Sequence, residues 1–174
     1  GENVTEMLPE IEQQVKELNL GGVILFRENV VETEQTARLV EAYQNASDKF
    51  GMFISIDQEG GIVTRLQSGT DMPGNMALGA ARSAQTASDV GQAIGEELHS
   101  LGINVNFAPT LDVNNNSDNP VIGVRSFSED PKLTAELGVA YINGMQKTGV
   151  VTTAKHFPGH GDTNVDSHVG LPEV

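Results

Sequence analysis

Short apolar segments alternate with amphipathic segments along this chain of 174 residues, and that alternation most restricts its fold. Apolar residues at helical spacing predict helices over residues 5–18, 33–50, 83–101 and 133–148. Short apolar runs between them predict buried strands over residues 23–26, 52–56, 103–108 and 150–154. Because strand–helix repeats of this length require parallel strands with right-handed crossovers, the sequence predicts an α/β fold.

A polar segment follows each predicted strand, at residues 27–29, 57–59, 112–119 and 155–168. Polar loops at the carboxyl ends of parallel strands are the arrangement that barrel enzymes use for their active sites. A complete eight-stranded barrel needs about 250 residues. The chain is therefore expected to form either a small open sheet or part of a (β/α)8 barrel.

Charge and composition exclude several classes of partner. The formal net charge is −14, with 24 acidic against 10 basic residues, which argues against binding to nucleic acid or an anionic membrane. No apolar run approaches the roughly 18 residues that a membrane span needs. Since the chain has no cysteine, a disulfide framework, a thiolate metal site and a cysteine nucleophile are excluded. The compartment stays open, either cytoplasmic or secreted.

The richest polar segment is residues 155–168, which holds three histidines, two aspartates and a lysine. This composition predicts an irregular surface loop directly after a buried strand, where catalytic and binding groups often lie. Asp166 and His168 are two residues apart, so in an extended segment their side chains point to the same side. The carboxylate can then orient the imidazole and stabilise its charge, which suits a general acid/base.

Other polar residues near predicted strand ends are candidates to bind a hydroxyl-rich ligand. Lys155 and His156 supply donors, and Asp57, just before two glycines, supplies an acceptor. Arg65 and Arg125 each follow a glycine-containing turn. A metal-dependent hydrolase on an open sheet and a non-catalytic sugar-binding module remain alternatives. The metal ligands would come from His156, His160, Asp162, Asp166 and His168, although their spacing matches no helical zinc motif.

Five segments together resemble glycoside hydrolase family 3, specifically its β-N-acetylglucosaminidases of the bacterial peptidoglycan-recycling type. They are GGVILF at 21–26, DQEGG at 57–61, NFAPTLDV at 106–113, RSF at 125–127 and the whole 155–168 loop. The resemblance runs from about Leu20 to the end of the chain. It implies a (β/α)8 barrel of which this chain holds about strands two to five. Residues 1–174 would then be part of the N-terminal catalytic domain.

The resemblance also implies an activity and residue roles. The family is retaining, needs no metal or other cofactor, and works through a covalent glycosyl-enzyme; its hexosaminidases release terminal β-linked N-acetylglucosamine from peptidoglycan fragments or chitooligosaccharides. His168 would be the acid/base, tuned by Asp166. The sugar hydroxyls would be bound by Asp57, Arg65, Arg125, Lys155 and His156.

Two departures from the family pattern lead to further expectations. Ile62 stands where many relatives carry an arginine, and the nucleophilic aspartate would lie on a later strand, beyond Val174. The 174-residue piece is therefore expected to be inactive alone. It is also expected to self-associate through open barrel edges. The glycine-bearing middle of the 155–168 loop is expected to act as a hinge for His168.

Overall fold

A computed structural model describes residues 4–47 and 50–171. Its four strands form one parallel sheet in chain order: β1 (Gly22–Leu25), β2 (Phe53–Ile56), β3 (Val105–Asn106) and β4 (Val151–Thr152). The helices of the described residues are α1 (Pro9–Leu18), α2 (Thr33–Ala46), α3 (Asn75–Ala81), α4 (Ala84–Ser100) and α5 (Pro131–Gln146). Single 3-10 turns lie at Arg27–Asn29 and Gly123–Arg125. The predicted α/β fold with a parallel sheet is confirmed.

The strand register aligns the carboxyl ends of the four strands at one edge. Leu25 lies opposite Ile56, Ile56 opposite Asn106, and Asn106 opposite Thr152. Successive neighbouring parallel strands are the order found in a (β/α)8 barrel. The polar segments after the strands therefore meet at a common edge.

The core lies between this sheet and the helices that cover it, with the closest helix pair being α4 and α5. Gly91 faces the backbone of Tyr141 and Gly144 faces the backbone of Ser88, so no side chain keeps the two helices apart. The aromatic ring of Tyr141 packs edge-on against Phe127, at a centroid distance of 6.3 Å. The fully buried apolar side chains of this core include Ile54, Ile56, Ile94, Leu98, Ile103, Leu137, Tyr141 and Met145.

Several predicted element boundaries were wrong for identifiable reasons. The first helix begins at Pro9 rather than Thr5, because proline suits the first turn of a helix. The second helix ends at Ala46, and Asp48 and Lys49 of the predicted span lie outside the described residues. The seven-residue α3 was missed altogether, because its span is too short for a periodicity to show.

The third strand is shorter than the predicted span 103–108. Two asparagines of that span, Asn104 and Asn106, use their side chains for some of the hydrogen bonds that backbone groups usually make between strands. The Asn104 side chain accepts from the Ile54 amide at 2.8 Å and donates to the Met52 carbonyl at 2.9 Å. Asn106 makes the equivalent pair of bonds to Gln58, at 3.0 and 2.8 Å. Asn104 thus holds the segments together near the start of β2, and Asn106 does so just after its end, where the polar edge begins.

Across residues 4–47 and 50–171, no helix combines the length and apolar character that crossing a membrane requires.

Candidate active site

Five charged side chains converge at the carboxyl edge of the sheet, and we call them the Lys155 cluster: Asp57, Glu59, Arg65, Arg125 and Lys155. Asp57 and Glu59 follow β2, and Lys155 follows β4. The ammonium of Lys155 lies 2.8 Å from Asp57 Oδ1 and 2.6 Å from Glu59 Oε1. Two loops that are far apart in sequence are therefore joined by one buried cation.

Arg125 and Glu59 form a two-pronged ion pair beneath the edge. Arg125 donates from Nε to Glu59 Oε2 at 3.1 Å and from Nη2 to Oε1 at 2.8 Å. Burial by itself would raise the pKa of Glu59, but the hydrogen bonds and charges of Arg125 and Lys155 outweigh it and lower that pKa. Burial by itself would lower the pKa of Arg125, but Glu59 outweighs it and the pKa is raised. Both groups are therefore charged at neutral pH.

Arg65 reaches the same cluster from the turn after β2. Its Nη2 lies 3.8 Å from Asp57 Oδ2. The turn is fixed by Gln58, whose side-chain oxygen accepts from the Arg65 and Leu66 amides at 2.8 and 3.3 Å. Since Asn106 holds Gln58, β3 indirectly positions Arg65.

A second pair, His156 with Asp112, lies beside the cluster. His156 Nδ1 is 2.5 Å from Asp112 Oδ2, and the Asp112 side chain is 1% exposed. Asp112 Oδ1 also accepts from the His156 and His160 amides, at 3.3 and 2.7 Å. Burial alone would raise the pKa of Asp112, but these bonds and the His156 charge outweigh it and lower the pKa.

The largest cavity beside these groups has a volume of about 510 Å³. Asp112, Lys155 and His156 line it, together with the exposed ring of Phe157. The peptide bond between Lys155 and His156 is cis. A cavity of this size accommodates a small ligand, and its polar groups are both donors and acceptors.

The middle of the 155–168 loop is anchored rather than free. Asn119 donates to the carbonyl oxygens of His160 and Thr163 at 2.6 and 3.0 Å, and Asn116 donates to that of Thr163 at 3.2 Å. Gly161 packs directly against the backbone of Val113. The expected hinge therefore does not lie at Gly161, because this part of the loop is held by the 112–119 segment.

The buried His160 links this anchor to the loop's exposed end. Thr163 Oγ1 donates to the His160 carbonyl oxygen at 3.1 Å, so His160 Nδ1 is the donor in its 2.5 Å contact with the same hydroxyl. In the neutral ring, Nε2 is then the acceptor, and it lies 3.3 Å from Ser167 Oγ. Ser167 stands between Asp166 and His168.

The predicted pair of Asp166 and His168 is formed. His168 Nδ1 lies 2.6 Å from Asp166 Oδ1, which also accepts from the His168 amide at 2.8 Å. That backbone hydrogen bond, followed by the side-chain bond, lowers the pKa of Asp166. The imidazole is 78% exposed, and in the described part of the chain it makes no contact with the Lys155 cluster.

The structure brings most of the predicted site residues together at this edge. Asp57, Arg65, Arg125 and Lys155 lie together, and His156 lies next to them. Asp166 and His168 pair with each other at a separate, exposed position. The buried carboxylates Glu59 and Asp112 were not among the predicted site residues, although each follows a strand and belongs to a motif quoted above.

The 155–168 loop holds the residues named above as candidate metal ligands. Within the described ranges 4–47 and 50–171, no group of three or more His, Asp or Glu side chains is placed to hold a metal ion. The predicted metal set is divided, because His156 and His160 pair with Asp112 and Thr163 while His168 pairs with Asp166. This arrangement gives the metal alternative no support.

Ile62, the departure from the family pattern, lines a second cavity of about 370 Å³ together with Glu59 and Arg125. Its side chain is 75% exposed. Met76 and Val124 line the same cavity, so its lining is partly apolar.

Neighbouring parallel strands with a charged cluster and a cavity at their carboxyl edge are the features of a barrel-type α/β domain. Comparison with known proteins identifies the family of this domain. The chain belongs to glycosyl hydrolase family 3, since the model for the N-terminal domain of that family matches residues 3–174.

Relatives and solved structures agree. The chain is 49% identical to Beta-hexosaminidase A of Pseudoalteromonas piscicida, over 98% of the chain and 30% of that protein. A β-N-acetylglucosaminidase structure from Paenibacillus sp. str. FPU-7 superposes with a TM-score of 0.96 at 51% identity, covering 99% of this chain and 34% of that one. The structure of NagZ from Neisseria gonorrhoeae in complex with N-trifluoroacetyl-D-glucosamine superposes with a TM-score of 0.88 at 35% identity. That match covers 98% of this chain and 52% of the NagZ chain. The chain thus spans about a third to a half of the proteins it matches.

Proposed function

We propose that the full-length protein is a retaining β-N-acetylglucosaminidase, of whose N-terminal catalytic domain residues 1–174 form part. Its substrates would be peptidoglycan-derived fragments or chitooligosaccharides with a terminal β-linked N-acetylglucosamine. The observation that carries the proposal is the Lys155 cluster, in which four predicted sugar-binding residues meet at the carboxyl edge of a family 3 domain. The names of the relatives, beta-hexosaminidase and β-N-acetylglucosaminidase, support the substrate class.

The cluster suits a neutral sugar because it offers both kinds of hydrogen-bonding group. Lys155 and Arg125 donate, and Asp57 accepts, so neighbouring hydroxyls of one ring can be bound with opposite polarity. The side chains of Lys155 and Arg125 are only 12% and 13% exposed. Their ammonium and guanidinium groups are thereby held in place before the ligand arrives, which reduces the entropy cost of binding.

The chemical role falls to His168. As an imidazolium, it would donate its Nε2 proton to the glycosidic oxygen while the nucleophilic aspartate of a later strand attacks C1. The neutral imidazole would then take a proton from water, and that water would release the sugar from the aspartyl ester. Asp166, bonded to Nδ1, keeps Nε2 free for both transfers and stabilises the positive charge.

This role requires the end of the loop to move. The 78% exposed His168 lies apart from the cluster, whereas the preceding part of the loop is anchored up to Thr163 by Asn116 and Asn119. We therefore propose that residues 164–171 swing inward over bound substrate while residues 155–163 stay fixed. The hinge would lie just after Thr163 rather than at the loop glycines.

The test compares two leaving groups in the full-length protein. His168→Ala should reduce kcat/KM for a sugar leaving group by about 10²–10⁴. The same substitution should reduce kcat/KM for a substrate with a 4-nitrophenyl leaving group much less, because this group departs without protonation. Equal losses on both substrates, or none on either, would contradict the acid/base assignment. Binding of N-acetylglucosamine by the wild-type protein without any turnover would favour the non-catalytic module.

A further inference from the structure

We propose that Glu59 is a positioning and charge-balancing residue: it sets the places of Arg125 and Lys155 and makes the site select a neutral sugar over an anion. The inference rests on the proposed function, and it concerns a residue outside the sugar-binding set given above.

The carboxylate of Glu59 is buried and bonded to its two partners, which keeps it from contacting a ligand in the Lys155 cluster. Its side chain is 2% exposed, and both carboxylate oxygens are occupied. Oε1 lies 2.8 Å from Arg125 Nη2 and 2.6 Å from Lys155 Nζ, and Oε2 accepts from Arg125 Nε at 3.1 Å. Any effect of Glu59 on substrate must therefore pass through Arg125 and Lys155.

Glu59 is also the shared partner of two side chains that come from two other segments. It follows β2 itself, Arg125 comes from the 3-10 turn Gly123–Arg125, and Lys155 follows β4. Arginine and lysine carry long side chains with many rotamers. Fixing both against one buried carboxylate sets the distance between their donors, which is the quantity that a rigid sugar ring detects.

The charges around Glu59 support the same role. The cluster itself holds three cations (Arg65, Arg125 and Lys155) and two carboxylates (Asp57 and Glu59), and the buried Asp112 beside it also acts on the charge of Arg125. Replacing Glu59 by a neutral group makes the surroundings of Arg125 and Lys155 one unit more positive, in a half-buried site where charges are poorly screened. Such a pocket attracts oxyanions. Glu59 therefore keeps the cluster suitable for uncharged hydroxyl groups.

The experiment uses the full-length protein and compares Glu59→Gln with Glu59→Asp. Glu59→Gln should lower kcat/KM for an aryl N-acetylglucosaminide by about 10–100-fold, the size expected when catalytic geometry loosens. It should also make inorganic sulfate a competitive inhibitor at least about tenfold stronger than it is for the wild type, at constant ionic strength. Glu59→Asp keeps the charge, so it should lose kcat/KM without gaining sulfate inhibition.

A matched control is Glu97→Gln. Glu97 is half-buried and accepts from the Thr70 amide and hydroxyl at 2.8 and 2.9 Å, away from the cluster. It should change neither kcat/KM nor sulfate inhibition. A Glu59→Gln variant that folds and gains no sulfate inhibition would overturn the charge-balancing role.

Double-mutant cycles separate positioning from a merely structural role. If Glu59 acts through Arg125, the loss from Glu59→Asp should shrink to less than about threefold in an Arg125→Ala background. The same loss should persist in full in a His168→Ala background, because Glu59 does not contact His168. Equal losses in all three backgrounds would overturn positioning, even if Glu59→Gln fails to fold. A wild-type protein without turnover would instead defeat the proposed function, and sulfate binding measured by calorimetry would then test the charge balance by itself.

Discussion

The Nδ1 atom of His156 lies 2.5 Å from Oδ2 of Asp112, whose side chain is 1% exposed. A carboxylate buried this deeply is an acceptor, so Nδ1 carries a proton and the neutral ring presents an unprotonated Nε2. The same carboxylate accepts two backbone amides of the 155–168 loop. Asp112 thus sets both the orientation of the His156 ring and the start of the 155–168 loop.

Asp112→Asn should damage binding and stability together. The new amide group must face a backbone or ring N–H, so one buried donor loses its acceptor at a cost of about 1–3 kcal/mol in unfolding free energy. We expect KM for an aryl N-acetylglucosaminide to rise and kcat to change less. Urea unfolding and steady-state kinetics of the full-length protein measure the two effects. Asp118→Asn, an exposed neighbour in the same segment, is the control, and an equal response from both would contradict the role of Asp112.

The order of strands and helices could be predicted from sequence because hydrophobic periodicity is local. Lys155 and Asp57 could be recognised for the same reason, since each directly follows an apolar run. Their 2.8 Å contact could not, because it joins residues 98 positions apart and depends on the strand register. The resemblance to a known family grouped these distant residues into one site, because hydrophobic periodicity carries no information on contacts between distant segments.

Glu59 and Asp112 show where residue-by-residue reasoning stops. An acid in a strongly acidic chain is ordinarily interpreted as a solvated surface group, and both lie in polar stretches. Their burial depends on partners from other loops, namely Arg125 with Lys155 and the backbone of the 155–168 loop. The position of His168 outside the cluster was also unpredictable, since loop conformation is not encoded in periodicity.

Stability should fall with acid through the two buried carboxylates. The pKa values of Glu59 and Asp112 are lowered below their ordinary 4.5 and 3.8. The unfolded chain therefore takes up these protons at higher pH than the folded one, and stability is full above the ordinary pKa values and lost as pH falls through the lowered ones. Urea unfolding of the full-length protein between about pH 7 and pH 3 measures this loss. The difference in unfolding free energy between wild type and Glu59→Gln should become smaller towards low pH. A difference that stays constant with pH would refute this dependence of stability on the protonation of Glu59.

Asn119→Ala should loosen the anchored part of the 155–168 loop. It removes donors to the carbonyl oxygens of His160 and Thr163 and acceptors for the amides of Val121 and Ile122. We expect faster proteolytic cleavage within residues 155–171 and a loss of about 1–2 kcal/mol in unfolding free energy. Asn115→Ala changes an exposed asparagine of the same segment and should alter neither quantity. Unchanged cleavage in Asn119→Ala would show that other contacts hold the loop.

Chelation should leave activity intact. The proposed steps use a histidine, a carboxylate nucleophile and water, so no metal ion is required for either proton transfer. Full-length protein dialysed against EDTA should retain its kcat/KM for an aryl N-acetylglucosaminide within about twofold. Loss of activity on dialysis, restored by a divalent cation, would favour the metal-dependent alternative instead.

The 174-residue chain on its own should be inactive and should self-associate. In the described part of the chain, β1 and β4 are the outer strands of the sheet, and each has one edge without a neighbouring strand. Ile24 of β1, Phe53 at the start of the neighbouring β2 and Val151 of β4 are 40%, 63% and 51% exposed, which leaves apolar surface available for another molecule. Analytical ultracentrifugation should therefore show species well above 18.5 kDa, and the fraction of the larger species should increase with protein concentration.

Charged substitutions at Phe53 and Val151 together should shift the distribution towards the monomer, whereas the same change at exposed Val139 of α5 should not. A monomer at all concentrations would contradict the open-edge expectation, and measurable turnover of an aryl N-acetylglucosaminide by this piece would show that its nucleophile lies within residues 1–174.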